Sequence, residues 1–364
     1  MMVKIKASHL LFLIASLVFI FISPYIFGDY GLNILNQIAI FIILAVSYNL
    51  INGVTGQFSL EPNGFVAVGA YVAALVLLSA DAKKDQFFLE GPNAFILAMH
   101  SNSFILALLI AGICSALLSF ILAFAVFRVR GDYLAIVTLG FGIIIKIAAI
   151  NFPSITNGSR GLVDIPQFST IYWTGAIAIL AVILILNIVY SKYGRAMKAI
   201  KDDEDAASAM GIDTFWIKTL AFGTSAFLEG VGGGLLACLL TTVSPMQFDF
   251  LLTFELLIII VLGGLGSTTG AIIGTVLVIG GSEWLRFLDE LSIKIDFLNI
   301  NMQSTPGFRM VVFSVVLILV MLFARRGIMG HYELSDVLRK IGQYLTLKGV
   351  RSDFGIKTNF KKFW

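Results

Sequence analysis

The apolar residues of this chain run in blocks of 17 to 25, and that length decides the solvent. A helix rises ~1.5 Å per residue, so about 20 apolar residues cross the ~30 Å hydrocarbon core of a bilayer. A water-soluble fold alternates apolar and polar positions instead, because most of its elements keep one wet face. Composition argues the same way: 58% of the 364 residues are hydrophobic and 13% charged, against about 25% charged in a soluble domain. Ten blocks read as membrane-crossing helices, at about 9–27, 32–51, 64–80, 103–127, 133–150, 171–190, 219–242, 250–266, 268–287 and 308–324. The gaps at Gly53–Asn63 and Gly266–Ser267 are short enough that eight or nine crossings fit the same blocks. The expectation is an all-α, polytopic helical bundle over residues 1–330 with discontinuous Gly-rich helices, then a basic cytosolic tail over 331–364. Lys4 and Lys6 ahead of the first block resemble a signal peptide, but no Ala-x-Ala cleavage pattern follows, so a retained helix is expected.

Charge orients the bundle. With the N-terminus inside, eighteen of the 25 Lys and Arg residues fall on inner segments. They include Lys4, Lys6, Arg128 and Arg130, five in the 191–218 loop, and nine from Arg325 to Lys362. Only Lys83, Lys84, Arg160, Arg286 and Lys294 fall outside, and the opposite orientation would invert the bias. Both termini are therefore expected to be cytoplasmic.

Glycine is clustered: Gly53-Val-Thr-Gly56 after the second block, Gly230-Val-Gly232-Gly233-Gly234 in the seventh, and Gly263-Gly264-Leu-Gly266 ending the eighth. Small residues let helix backbones approach closely in lipid, and Gly266, Gly270 and Gly274 repeat at the spacing of one helix face. Breaks at Gly53–Gly64 and Gly263–Gly270 also fit discontinuous helices beside a translocation path. The two readings are compatible. They single out Gly53, Gly56, Gln57, Ser59, Gly263, Gly264 and Gly266, with the in-span acids Glu229 and Glu255, as path candidates. Lys146 and Glu283 are further charges within apolar blocks, where a charge is costly and marks a structural ion pair or a functional group; a Lys146–glutamate pair is one expectation.

No enzyme constellation is present: the chain has no Gly-x-Ser-x-Gly, no His-Glu-x-x-His and no Cys-x-x-Cys. Cys114 and Cys238 lie in apolar blocks and read as small buried thiols. His9, His100 and His331 are too far apart for a metal site, so no catalytic or metal residues are expected. Gly263-Gly-Leu-Gly-Ser-Thr-Thr-Gly270 lacks the lysine of a phosphate loop, so any ATP and Mg would be bound by another chain. The long inner loop is more informative. Asp202, Asp203, Glu204 and Asp205 precede Ala206-Ala207-Ser208-Ala209-Met210, and Gly211 is placed to end a short helix whose front carries the acids. Its small side chains would let a partner lie close.

Asp205-Ala206-Ala207-x-x-x-Gly211 resembles the EAA loop of ABC-importer permeases, without the Ile-x-Leu-Pro of the fuller pattern. Further stretches match in order: Asn52-Gly-Val-Thr-Gly-Gln-Phe-Ser-Leu60, Gly64-Phe65, Gly69-Ala-Tyr71, Arg130-Gly-Asp-Tyr-Leu-Ala-Ile-Val-Thr-Leu-Gly140, Thr156-Asn-Gly-Ser-Arg-Gly-Leu162, Gly194-Arg-Ala-Met-Lys-Ala-Ile200 and Gly263-Gly-Leu-Gly-Ser267. Over roughly 45–285 the chain resembles LivM-type permease subunits of branched-chain amino-acid ABC importers. It departs at Glu61-Pro62-Asn63, where the family usually has Gly-His-Ala or similar.

The resemblance implies a transport subunit, not an enzyme, in the bacterial inner membrane and surrounded by lipid, with no nucleic-acid role. It implies a homologous second permease, two ATPase subunits docking at Asp205, Ala206, Ala207 and Gly211, and an extracytoplasmic binding protein in which most affinity and discrimination reside. Urea or short amides are the alternative cargo. An H⁺- or Na⁺-coupled secondary transporter is the alternative class, and it would transport without partners. A membrane enzyme would need clustered polar groups at one face, which the sequence lacks. The topology predicts that single cysteines at Ser159 and Ser352, with Cys114 and Cys238 removed, react with impermeant reagents from opposite sides; labelling from one side overturns it.

Overall fold

A computed structural model of the chain describes residues 7–87, 91, 93–127 and 133–285, with short pieces at 293–295, 300–302, 314–315, 318, 322, 327–330 and 333. The fold is helical. Two helices stand at its centre: α2 (Asp29–Asn49), prolonged by a π-helical turn Leu50–Thr55, and α12 (Thr214–Leu240). The apolar windows of these two spans are 72% and 78% buried within the protein, whereas those of α6 (Phe104–Val126), α7 (Tyr133–Asn151) and α9 (Ile171–Tyr190) are 28–39% buried. The outer three therefore present Leu117, Ile121, Ile136, Ile144 and Leu180 outwards, as helices solvated by lipid do. An outer helix α1 (Ala7–Ile26) packs on α9.

Close approach at the centre depends on glycine. A Cβ on Gly69 of α3 (Pro62–Leu77) would lie 2.1 Å from the Gly230 carbonyl of α12, and one on Gly233 would lie 2.1 Å from the Val66 carbonyl. The two backbones are in contact along these residues, so dispersion replaces the hydrophobic drive that lipid cannot supply. The Gly230–Gly234 cluster thus serves packing between α12 and its neighbours.

Five helices are long and apolar enough to cross a membrane, and up to seven if each of two bent pairs makes one crossing, among the described residues. In the first pair α3 turns by 118° into α4 (Ala80–Gln86). In the second, α13 (Phe250–Gly263) turns by 119° into α14 (Thr268–Thr275), which continues through a π-helical turn Val276–Gly280 into α15 (Gly281–Trp284). The eighth and ninth sequence blocks are thus two short helices folded against each other, with Gly270 and Gly274 of α14 facing the Gly263 and Ile259 backbones of α13. Gly266 belongs to the bend itself and not to that helix face. Most of the 308–324 block, the inner arginines 128 and 130, and nearly all of the tail lie outside the described residues. Short helices α5 (Ala94–Ala98) and α8 (Pro153–Thr156) lie in connections, and a small antiparallel hairpin pairs β1 (Ile293–Ile295) with β2 (Ile300–Met302).

The connections segregate to two ends. At one, Tyr30 at the start of α2 donates to Glu283 at 2.6 Å, and Leu162 bridges Val243. At the other lie the end of α2, the bend between α13 and α14, and the helices α10 (Lys192–Asp202) and α11 (Glu204–Ala209).

The backbone contact makes a graded prediction. Gly233→Ala should lower thermal stability in detergent by ~1–3 kcal/mol, the usual cost of overpacking. Gly140→Ala, which meets nothing within 4 Å on α7, should leave it unchanged or raise it slightly. Equal melting temperatures for the two variants would refute the contact.

Candidate functional site: two helix breaks and the segment that holds them

Inside a bilayer an unsatisfied backbone group costs several kcal/mol, so a helix break survives only where protein supplies partners. The first break spans 56–61, between the π turn and α3. Gly56 ends the turn with φ +71°. The chain then doubles back, and its backbone groups are answered by side chains from three helices. The Ser59 amide donates to Asn52 Oδ1 (2.9 Å), and the Ser59 carbonyl accepts from Tyr48 Oη (2.7 Å) and Asn52 Nδ2 (3.3 Å). The Leu60 amide donates to Thr138 Oγ1 of α7 (2.8 Å), and the Asn63 amide to Thr253 Oγ1 of α13 (3.3 Å). Gln57 is half-buried and Phe58 exposed, so the tip of the break reaches the protein surface while Ser59 stays inside.

The second break is the bend at 264–267, where Gly264 and Gly266 take φ of +118° and +91°, a region other residues rarely enter. The amide of Asn49 clamps it, Oδ1 accepting from the Gly266 N–H (2.9 Å) and Nδ2 donating to the Ser267 carbonyl (3.1 Å). Ser267 caps α14 by accepting from the Gly270 N–H (3.0 Å). Glu333, from beyond the last apolar block, adds a second cap: its carboxylate accepts from the Thr268 and Thr269 amides (2.7 and 3.0 Å) and from Thr269 Oγ1 (2.8 Å). An acid at a helix N-terminus is favoured by the helix dipole as well as by these bonds. Just before it, the Ile328 and Met329 amides pair with the Leu262 and Gly263 carbonyls, laying 327–330 across the bend as a strap.

The two breaks touch. A Cβ on Gly53 would lie 2.3 Å from the Gly266 nitrogen. Gly53, Gly56, Ser59, Gly263, Gly264 and Gly266 are thus gathered around one region of the bundle. Glu229 is fully buried in α12, with Oε1 accepting from Ser225 Oγ (2.9 Å), which also reaches the Ser47 carbonyl, and it stands within electrostatic reach of Tyr48 and of the first break. Glu61, at the N-cap of α3, is equally buried, within electrostatic reach of Glu229, and neither of its carboxylate oxygens has a hydrogen-bond partner among the described residues. Sequence reading noted Glu61 only as a departure from the family pattern. Its burial was not legible, because its partners in space lie far away in sequence. Glu255 is half-buried in α13.

Lys146 does not pair with a glutamate. Its Nζ lies 3.2 Å from Asp249, the residue that also caps α13 through the Phe250 N–H. That backbone bond first, and Lys146 second, hold the Asp249 carboxyl below its ordinary range. The expected glutamate partner was displaced by an acid just outside the apolar block, because a lysine stem is long enough to carry its ammonium towards the surface.

The segment from Ser191 to Gly211 forms two helices with a sharp joint. Ser191 caps α10, whose Met197 and Ile200 are buried. Asp203 caps α11 by accepting from the Ala206 N–H (2.9 Å). Gly211 ends this element at φ +83°, in open space. Ala207 is 5% exposed and faces the protein, while Ala206, Ala209 and Met210 (84% exposed) point away. Two lysines anchor the pair. Lys218 of α12 bonds Glu204 at 2.5 Å, and Lys201, in the last turn of α10, donates to the Gly53 carbonyl at 2.7 Å.

A helical membrane bundle with broken central spans and a short exposed helix, α11, is the architecture of a solute permease. Residues 30–324 match the family model described as branched-chain amino acid transport system / permease component, and the chain belongs to that family. It is 33% identical over 316 residues to the high-affinity branched-chain amino acid transport system permease proteins LivM of Salmonella typhimurium and of Escherichia coli, covering 78% of this chain and 70% of each relative. It is 24% identical to the LivH permease protein of the Salmonella typhimurium system, covering 81% of this chain and 92% of the relative. No solved structure matches it.

The Lys146–Asp249 pair predicts non-additivity. Asp249→Asn and Lys146→Met should each lower the melting temperature, and the double variant should recover ~1 kcal/mol of coupling, as partly exposed pairs do. Simple additivity would show that the ion pair contributes nothing.

Proposed function

We propose that this chain is one of two related permease subunits in an ATP-driven importer of branched-chain amino acids in the bacterial inner membrane. The observation that carries this reading is the form of α11: a short helix with Ala206, Ala209 and Met210 exposed, anchored by lysines at both flanks and joined to the two helix breaks. Small side chains leave room for a partner surface to approach, and an apolar tip favours burial on docking. An ATPase subunit seated there would move α10 and α11 together. The end that carries them is the cytosolic one by the positive-inside bias, with both termini on that side, and the 158–166 and 241–249 connections face the binding protein. Likeness to both LivM and LivH supports a path lined by two homologous chains, with two ATPases holding ATP and Mg. Gly53, Gly56, Gln57, Ser59, Gly263, Gly264 and Gly266 line or frame this path. Phe58, Phe250 and Phe254, each 42–50% exposed, supply apolar walls suited to aliphatic side chains and weak midway binding.

The outward face of α11 supplies the test. Ala206→Arg and Met210→Arg should each reduce ATPase co-purification and leucine uptake by about tenfold or more, as loss of a central contact does, with insertion and melting temperature unchanged. Undiminished uptake in both variants refutes the docking assignment, and a preference for urea over leucine in the same assay refutes the cargo.

A further inference from the structure

The helical span from Asp29 to Thr55 ends inside the protein, and the carbonyls of its last turn have no amide further along the same helix to accept from. Gly53 contributes one of them. Its partner arrives from 148 residues away: Lys201 Nζ donates to it at 2.7 Å. A cation at a helix C-terminus is favoured twice, by the hydrogen bond and by the negative end of the dipole.

The lysine stem is seated as well as its tip. A Cβ on Gly56 would lie 2.6 Å from Lys201 Cγ, so this position excludes a side chain on steric grounds, in addition to its φ of +71°. The same ammonium lies 3.6 Å from where a Cβ on Gly266 would stand. Gly53 is packed on Gly266, and Asn49, one turn earlier, clamps Gly266 and Ser267. One side chain therefore bonds the end of the first span and stands beside the bend packed against it, although much of Lys201 is open to solvent. Burial of its tip draws the ammonium below the ordinary lysine value, and Lys198 adds to this while Asp202 opposes it.

Lys201 also occupies a mechanically particular position. It is two residues before Asp203, where the extended backbone (φ −158°, ψ 114°) joins α10 to α11. Displacement of α11 acts on this joint first. The other anchor, Lys218–Glu204, ties α11 to α12, whose close-packed glycines resist shear. Of the two, the Lys201 bond is the one that ends on backbone at a break, where the helix can rewind.

We propose that Lys201 is the positioning residue that transmits displacement of the α10–α11 segment to the helix end at 53–56, where the first break begins, and through it to the second break at 264–267. Conserving its charge and reach conserves coupling; removing them leaves ATP turnover disconnected from the path. This rests on the reading of the chain as an ATP-driven permease.

The test uses the complete transporter in proteoliposomes, comparing Lys201→Met, Lys201→Gln and Lys201→Arg with the unaltered chain. Transport and ATPase association by the unaltered complex establish the permease reading independently of any variant. Lys201→Met is expected to assemble and to retain most of its ATP hydrolysis, while amino acid moved per ATP falls about tenfold, within the range of one coupling interaction. Lys201→Arg should restore most of the ratio and Lys201→Gln little of it. Melting temperatures are measured alongside. Hydrolysis and uptake falling in proportion, a ratio unchanged in Lys201→Met, or uptake that follows melting temperature across the series would each overturn the proposal.

Discussion

A peptide group inside a bilayer finds its hydrogen-bond partner within the protein or pays several kcal/mol, and the breaks at 56–61 and 264–267 show how this chain meets that demand. Asn52 and Tyr48 serve the first break from α2, Thr138 from α7 and Thr253 from α13. Asn49 serves the second from α2, and Glu333 from beyond the last block. Satisfying each break therefore requires helices distant in sequence to assemble first. The breaks are stitched into the bundle by the same bonds that make them tolerable, and neither can rearrange without exchanging partners.

The rest of the bundle divides by the same logic into a part that resists movement and a part that can follow it. Along α12, backbone meets backbone at Gly230 and Gly233, and side-chain adjustment cannot absorb a shift there. The breaks are held instead by single side chains, whose bonds exchange one at a time. A π-helical turn, Leu50–Thr55, leads directly into the first break, and a second, Val276–Gly280, follows α14; such turns commonly mark functional positions in helices. A transporter needs both properties: a rigid frame to act against, and helix ends that re-aim without exposing backbone to lipid.

Run length carried most of what could be read without coordinates, and charge bias gave an expected orientation. Each is a local or additive property: an apolar block demands lipid wherever it folds, and the count of Lys and Arg by segment needs only the order of the blocks. The glycine clusters and the Asp202–Gly211 stretch were legible for the same reason, since small residues and helix capping act within a few positions. Tertiary structure decided the partners. Sequence spacing gave Lys146 a glutamate, while the fold put Asp249 within its reach. Ala207 read as part of a docking face, yet the roll of α11 about its axis turned it inwards and left Ala206 and Met210 outside. Gly266, Gly270 and Gly274 read as one stripe, but the bend at 264–267 separated the first from the other two. Helix roll, bend angle and which ends meet depend on contacts between residues hundreds of positions apart. Such contacts have no period and no local composition, and only the assembled bundle brings Lys201 to Gly53.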